Sequence, residues 1–63
     1  MTIVEGIDPK EVDLAGLAKK LKTYCACGGT VKNNAIMLQG DHRQRVYNYL
    51  SKNGFSERNI TIL

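Results

Sequence analysis

Apolar residues between positions 14 and 25 recur at the spacing of an α-helix. They stand at i, i+3, i+4, i+7 and i+11, so a helix places all of them on one side and leaves the other side polar. Such a stripe has to be buried against another element of the fold. We place the main helix at residues 13–25, after a turn that begins at Asp8 and Pro9. The stripe consists of Leu14, Leu17, Ala18, Leu21 and Cys25.

The segments around this helix have the composition of short strands, turns and one further helix. Asn33-Asn34 indicates a hairpin turn, because asparagine tolerates positive φ. We predict strands in the stretches TIVEG, CGGTV, AIMLQ and ITIL, and a second helix at residues 42–53 that stops at Asn53-Gly54. The core-facing residues of the second helix are expected to be Val46, Tyr49 and Leu50.

The predicted order is therefore strand, helix, strand, strand, helix, strand. A single sheet with both helices on one face is the simplest way to bury two amphipathic helices whose crossovers return to the same sheet. The sequence thus predicts an α+β fold, a two-layer α/β sandwich with a four-stranded antiparallel sheet (β-α-β-β-α-β). With 63 residues we expect a single domain, 1–63, near the lower size limit for folding without disulfides or metal.

The chain has no stretch typical of a secretory signal or a membrane span. Its first ten residues lack a basic flank with a long apolar run, and no segment approaches the roughly 20 apolar residues of a membrane helix. Cys25 and Cys27 are separated by one residue, so a disulfide between them would close a small strained ring. We expect a cytoplasmic protein with reduced thiols.

Charge is distributed unevenly along the chain. Residues 1–13 contain four acidic residues and one lysine, whereas residues 14–63 contain eight Lys or Arg residues and two acidic ones. The basic part suits a polyanion such as nucleic acid, but a surplus of this size is also typical of a plain solvated surface. Charge alone leaves both interpretations open.

No pattern in the sequence indicates catalysis, a nucleotide cradle or a metal site. Cys25, Cys27 and His42 are too few, and too unusually spaced, for a structural zinc. No nucleophile stands at an interpretable spacing from Asp41 and His42, and neither GxGxxG nor a P-loop occurs. We predict a binding protein with no enzymatic activity, cofactor or metal.

The stretch LQGDHR can be interpreted as an acid–base pair or as a structural turn. Side chains adjacent at the start of a helix diverge, which argues against the pair. As a turn, Gly40 redirects the backbone and Asp41 caps the second helix, with Gln44 completing a capping box. Arg43 and Arg45 then lie in the first turn, where the helix dipole favours anions. They indicate either an anionic partner or an ordinary solvated face.

The run ACGGTVKNNAIMLQGDHRQRVYNYL, together with TIVEGID and LAKKLK upstream, resembles the translation initiation factor 1 family of eukaryotes and archaea, and the archaeal form most. The resemblance covers nearly the whole chain. It implies a factor that binds the small ribosomal subunit near the peptidyl site, opposes initiator tRNA at wrong codons and promotes accurate start-codon selection. The implied partners are ribosomal RNA of the small subunit, initiator tRNA and other initiation factors.

The resemblance also assigns roles to individual positions. Lys19, Lys20 and Lys22 match a basic helix that lies against ribosomal RNA. A hairpin loop matches one that approaches initiator tRNA, although the turn here is shorter than in eukaryotic members. The QGD stretch together with Arg43 matches the signature of the family, while the roles of turn and cap come from the residues themselves. The hairpin residues are Lys32, Asn33 and Asn34, the turn and cap residues predicted from the sequence are Gly28, Gly29, Gly40 and Asp41, and Arg43 and Arg45 are expected to be further RNA contacts.

The chain departs from the family pattern at its start. Family members generally begin earlier, with a further strand and a basic loop, so we expect a trimmed core or a short member. A missing strand would leave a sheet edge unpaired, which invites dimerisation. The alternative function is therefore a protein-interaction or regulatory domain of the same fold that pairs through a free sheet edge.

Overall fold

The computed structural model describes residues 1–55 and 60–63 of the 63-residue chain. Strands and helices follow one another in the predicted order. Neither helix of this described part is long and apolar enough to cross a membrane. The elements are β1 (Thr2–Glu5), α1 (Leu14–Cys25), β2 (Gly29–Lys32), β3 (Ala35–Leu38), α2 (Arg43–Lys52) and β4 (Thr61–Ile62).

The strands form one antiparallel sheet in the order β2-β3-β1-β4. The first strand of the chain is thus an inner strand, and Val4 pairs with Ile36 on one side and Ile62 on the other. Just beyond β4, Leu63 exchanges two backbone hydrogen bonds with Ile3, of 2.8 and 3.1 Å. The predicted four-stranded antiparallel sheet is confirmed.

Both helices pack on one face of this sheet. Side chains alternate between the two faces of a strand, so Val4, Ile36 and Leu38 point to the same side. There they join the buried residues of α1 and α2 in one core cluster. The predicted α+β fold with two layers is therefore confirmed.

The predicted helical stripe forms the centre of this core. All five of its residues are buried in α1, and Val46 and Leu50 are buried in α2. Tyr49 was predicted in the core as well, but it is half-buried and packs at the margin of the cluster. The turn before α1 is present, since the N–H groups of Glu11 and Val12 both donate to the carbonyl of Asp8, at 3.1 and 3.0 Å.

The two helices end in the same backbone arrangement. In α1 the N–H of Cys27 donates to the carbonyl of Lys22 at 3.0 Å, and the N–H of Ala26 donates to that of Thr23 at 3.3 Å. This is a Schellman motif, which needs a left-handed residue after the last helical turn. Ala26 holds that position in α1 with φ 53°, whereas α2 has the predicted glycine, Gly54, with φ 79°.

A two-residue turn joins β2 to β3. Asn33 and Asn34 have φ values of 52° and 61°, as expected for a tight hairpin turn with two left-handed residues. Lys32 and Ala35 pair directly across it. The predicted hairpin turn is therefore confirmed.

Candidate nucleic-acid interface

The lysines predicted on the main helix stand on its solvent side. The buried stripe determines their direction, because side chains at other angles around α1 point away from the core. Lys19 and Lys20 are exposed and Lys22 is half-buried. Within residues 1–55 and 60–63, no carboxylate lies within 4.0 Å of their ammonium groups. Their charge is thus available to an external anion.

A buried hydroxyl ties the turn before α2 to the first strand. The Thr2 side chain is buried, and its hydroxyl donates to the carbonyl of Gly40 at 2.8 Å. The same oxygen accepts the N–H of His42 at 2.8 Å. Gly40 has a φ of 95°, a conformation that favours glycine. The turn is therefore held by contacts across about 40 residues of sequence.

The start of α2 differs from the prediction by one residue. The N-cap position belongs to His42, and the prediction that Asp41 holds it was wrong. Gln44 does not complete a capping box either, because its amide donates to Asn48 at 3.1 Å. The physical reason is that the Asp41 carboxylate pairs mainly with the guanidinium of Arg43, while the hydroxyl of Thr2 on β1 accepts the N–H of His42. Asp41 still accepts the N–H of Arg43, at 3.5 Å.

Asp41 and Arg43 form an exposed ion pair. Nε of Arg43 lies 3.0 Å from Oδ1 of Asp41, and Nη2 lies 3.3 Å from Oδ2. These hydrogen bonds lower the pKa of Asp41 and raise the pKa of Arg43 relative to their ordinary values. Arg43 thus has an internal counter-ion, and its place in the first helical turn does not by itself indicate an anionic ligand.

Arg45 also has a partner within the chain. Its Nη1 donates to Nδ1 of His42 at 3.3 Å. This leaves Nε2 of His42 as the protonated nitrogen, which donates to the carbonyl of Gln39 at 2.8 Å. The histidine is therefore part of the turn and orients Arg45. Both arginines thus have a partner within the chain, whereas the α1 lysines have no carboxylate partner among the described residues.

The predicted contact residues lie at two ends of the sheet. Lys32 pairs with Ala35 at the hairpin, whereas Gly29 pairs with Leu38 at the opposite end of the same two strands. Three residues of strand separate these ends by about 10 Å. Arg43 and Arg45 follow the distal end, together with the turn. The structure therefore separates the hairpin residues from the arginines.

The Gly28-Gly29 segment lies next to the lysines of α1. Lys19 and Lys22 line the same surface depression as both glycines. A side chain at Gly29 would collide with the main-chain oxygen of Met37 on the neighbouring strand. The small residue thus allows β2 to pack closely against β3 beside the basic helix.

The two cysteines are free thiols beside this basic region. Cys25 is buried in the core, and Cys27 is half-buried. Burial raises the pKa of the Cys25 thiol above its ordinary value, and the neighbouring Cys27 adds to this, while Arg45 opposes it. Among the described residues, no three His, Cys, Asp or Glu side chains converge in a way that would hold a metal ion.

Sequence reasoning missed one aromatic residue of this region. Tyr24 lies on α1, with 44% of its surface exposed. Its ring centroid is 5.1 Å from that of Tyr49 on α2, and the planes are tilted by 57°. Only the helix packing brings the two tyrosines together. The available signal was the position of Tyr24, four residues after Lys20 on the same helix.

The chain is similar to known proteins over nearly its whole length. The family described as "Translation initiation factor SUI1" matches residues 1–56. A "Protein translation factor SUI1 homolog" of Methanocaldococcus jannaschii is 61% identical over 62 residues, which is 98% of this chain and 60% of the relative. A protein with the same description from Thermococcus kodakarensis is 61% identical, over 97% of this chain and 62% of the relative.

A relative with lower sequence identity has the same description. The homolog of Methanoregula boonei is 52% identical over 97% of this chain and 60% of its own length. The chain thus spans about 60% of the length of the curated relatives it matches. Because the match extends from β1 through α2, it includes the lysines, the hairpin and the turn described above. The chain belongs to the translation initiation factor SUI1 family.

Proposed function

We propose that this chain binds the small ribosomal subunit near the peptidyl site and promotes accurate start-codon selection, without chemistry of its own. The observation that carries the proposal is its membership in a family of translation initiation factors. The lysines of α1 support an RNA contact, because cations on the solvent side of a helix suit the phosphates of ribosomal RNA. The proposed contacts are Lys19, Lys20, Lys22, Lys32, Asn33, Asn34, Arg43 and Arg45.

The structure favours different roles for these residues. The α1 lysines have no internal counter-ion among the described residues, so binding a phosphate breaks no ion pair of theirs. To bind a phosphate, Arg43 would have to break its ion pair with Asp41. Its net contribution to the binding free energy would therefore be smaller. The hairpin at Asn33-Asn34 projects from the other end of the sheet and is proposed to approach initiator tRNA. Other initiation factors complete the proposed set of cytoplasmic partners.

Co-sedimentation with purified archaeal small subunits across a salt series tests this function. We expect the 63-residue chain to bind, with an affinity that falls steeply as salt rises. Substitution of Lys19, Lys20 and Lys22 together by Glu should abolish most of this binding. If each lysine meets one phosphate, the slope of log K against log salt should fall by about 2–3.

A control separates this effect from net charge. The double variant Lys19→Glu/Lys22→Glu is compared with Lys10→Glu/Lys52→Glu, which changes the net charge equally at exposed sites outside α1. The first pair should bind much more weakly than the second. Equal affinities for the two variants would remove the lysine face of α1 from the interface.

The alternative function, a protein-interaction domain that pairs through a sheet edge, has one supporting observation. In the described part of the chain, β2 and β4 each pair with a single neighbour, so each has an outer edge without a strand. Exposed edges of this kind can accept another strand. Sedimentation equilibrium would favour the alternative if the mass rose with concentration and the chain failed to bind ribosomal subunits.

A further inference from the structure

We propose that the groove between α1 and α2 receives an unpaired base of ribosomal RNA, stacked on Tyr24, while Lys19 and Lys20 bind the adjoining phosphates. This inference rests on the proposed function and adds to it a specific contact.

The groove has an open, mostly apolar surface. One section is a shallow depression of about 600 Å³, and a second section of about 500 Å³ continues it toward Phe55. Gly16 has no side chain, and the carboxylate of Asp13 occupies the space where its Cβ would lie, at the border between the two sections. The first section is lined by Gly16, Lys19, Lys20, Thr23, Tyr24 and Tyr49.

The aromatic pair provides a preorganised stacking surface. Tyr49 is half-buried and supports Tyr24 from α2 at a centroid distance of 5.1 Å. Tyr24 keeps 44% of its surface exposed despite this contact. A ring that is already held against a neighbour loses little conformational freedom when a base stacks on it. The exposed part of Tyr24 is thus suited to stacking.

The charges around the groove favour RNA over an apolar peptide. Lys20 lies one helical turn before Tyr24, and Lys19 borders the same section. Glu11 and Asp13 line the far section, where they would repel phosphates. A nucleotide would therefore place its base along Tyr24 and its phosphates at the lysine end.

The occupant should be an unpaired nucleotide. In a duplex the faces of each base are covered by its neighbours, whereas loops and bulges present bases that aromatic side chains can stack on. Stacking on an aromatic ring accepts any base, so the groove should show little sequence preference.

The test compares Tyr24→Leu and Tyr24→Phe in binding to purified archaeal small subunits across a salt series. Leu keeps an apolar side chain that favours helix but removes the ring, whereas Phe keeps the ring. We expect Tyr24→Leu to bind about 5- to 100-fold more weakly, and Tyr24→Phe to bind like the unaltered chain. The salt slope of Tyr24→Leu should stay unchanged, because stacking releases no counterions.

Tyr47→Leu is the matched control. Tyr47 is 40% exposed, close to the value for Tyr24, but it borders β4 rather than the groove. Its replacement should leave the affinity for the subunit unchanged. Circular dichroism of each variant verifies that it is folded before binding is measured.

A fluorescent variant reports on the stack itself. The chain contains no tryptophan, so Tyr24→Trp introduces a single indole at the groove. Single-stranded oligoadenylate should quench its fluorescence, and a duplex RNA of equal length should quench it much less. This readout does not depend on ribosome binding and detects the ring even if another variant fails to fold.

The outcomes separate the groove from the proposed function. If the unaltered chain does not bind subunits, both proposals fail. If it binds and Tyr24→Leu binds equally well, only the groove proposal fails. Equal losses in Tyr24→Leu and Tyr24→Phe would assign the effect to the hydroxyl, and equal quenching by single-stranded and duplex RNA would exclude an unpaired base.

Discussion

At the scale of single residues, the Thr2 hydroxyl is expected to contribute measurably to stability. Thr2→Val keeps the shape of the side chain but removes the acceptor for the N–H of His42 and the donor to Gly40. Leaving such backbone groups without partners should lower the free energy of unfolding by about 1–3 kcal/mol. Urea denaturation followed by circular dichroism measures this loss.

Two controls identify the cause. Thr2→Ser keeps the hydroxyl and should retain most of the stability, while Thr30→Val alters an exposed threonine of β2 and should change it by no more than about 0.5 kcal/mol. Amide exchange at His42 should accelerate in Thr2→Val alone. A Thr2→Val variant as stable as the unaltered chain would show that the bridge is not needed.

Thr2 also shows why the hydrogen bonds of the turn before α2 could not be predicted from the sequence. Capping rules consider a few neighbouring residues, and by those rules Asp41 was the natural cap. The hydroxyl that meets His42 comes from position 2, and nothing local in the sequence indicates it. The partners of Arg43 and Arg45 depend on the same turn. The turn at Gly40 was thus predictable, but the hydrogen bonds around it were not.

At the scale of elements, the two helix ends provide a matched experiment. Ala26 and Gly54 hold equivalent left-handed positions, which disfavour a side chain. Ala26→Gly should therefore raise the free energy of unfolding by about 1 kcal/mol, and Gly54→Ala should lower it by about as much. A Cβ at position 54 would meet no atom within 4 Å, so the second change isolates the backbone effect. Urea denaturation measures the free energy of unfolding of both variants. Changes of the same sign in the two variants would contradict this prediction.

Helices and turns were more predictable than side-chain hydrogen bonds, because the sequence patterns that indicate them are local. The helical stripe from Leu14 to Cys25 gave α1 to within one residue, and Asn33-Asn34 gave the hairpin. Ala26 was not anticipated as a left-handed residue, since glycine is the usual sign of that position. Tyr49 was misplaced because helical periodicity does not define the edge of the core.

At the scale of the whole molecule, stability should depend on the short strand β4. A chain of 63 residues has a free energy of unfolding of about 3–9 kcal/mol. Removal of residues 60–63 deletes the half-buried Ile60 and Ile62 and uncovers the inner strand β1. We expect a loss of about 4 kcal/mol or more, a large share of that total, so that the shortened chain unfolds at a much lower temperature. Thermal unfolding followed by circular dichroism measures this.

Leu63→Ser is the control for this truncation. The Leu63 side chain is 53% exposed, and the substitution keeps the backbone hydrogen bonds to Ile3. Its stability should change by less than about 1 kcal/mol. Cooperative unfolding of the truncated chain near the full-length midpoint would contradict the role of β4. The strand order behind this prediction could not be derived from the sequence, because several orders satisfy the same alternation of strands and helices.

Synthesis runs from β1 to β4, yet the sheet closes around β1. A nascent chain therefore presents its future inner strand to the exit tunnel long before its second neighbour has been translated. The segments from α1 to α2 can pack against β1 and pair with one of its edges as they emerge, while its other edge stays unpaired until β4 emerges. The final pairing, between Ile3 and Leu63, forms only when the end of this segment leaves the tunnel. Maturation of the fold is thereby coupled to completion of this segment's own translation.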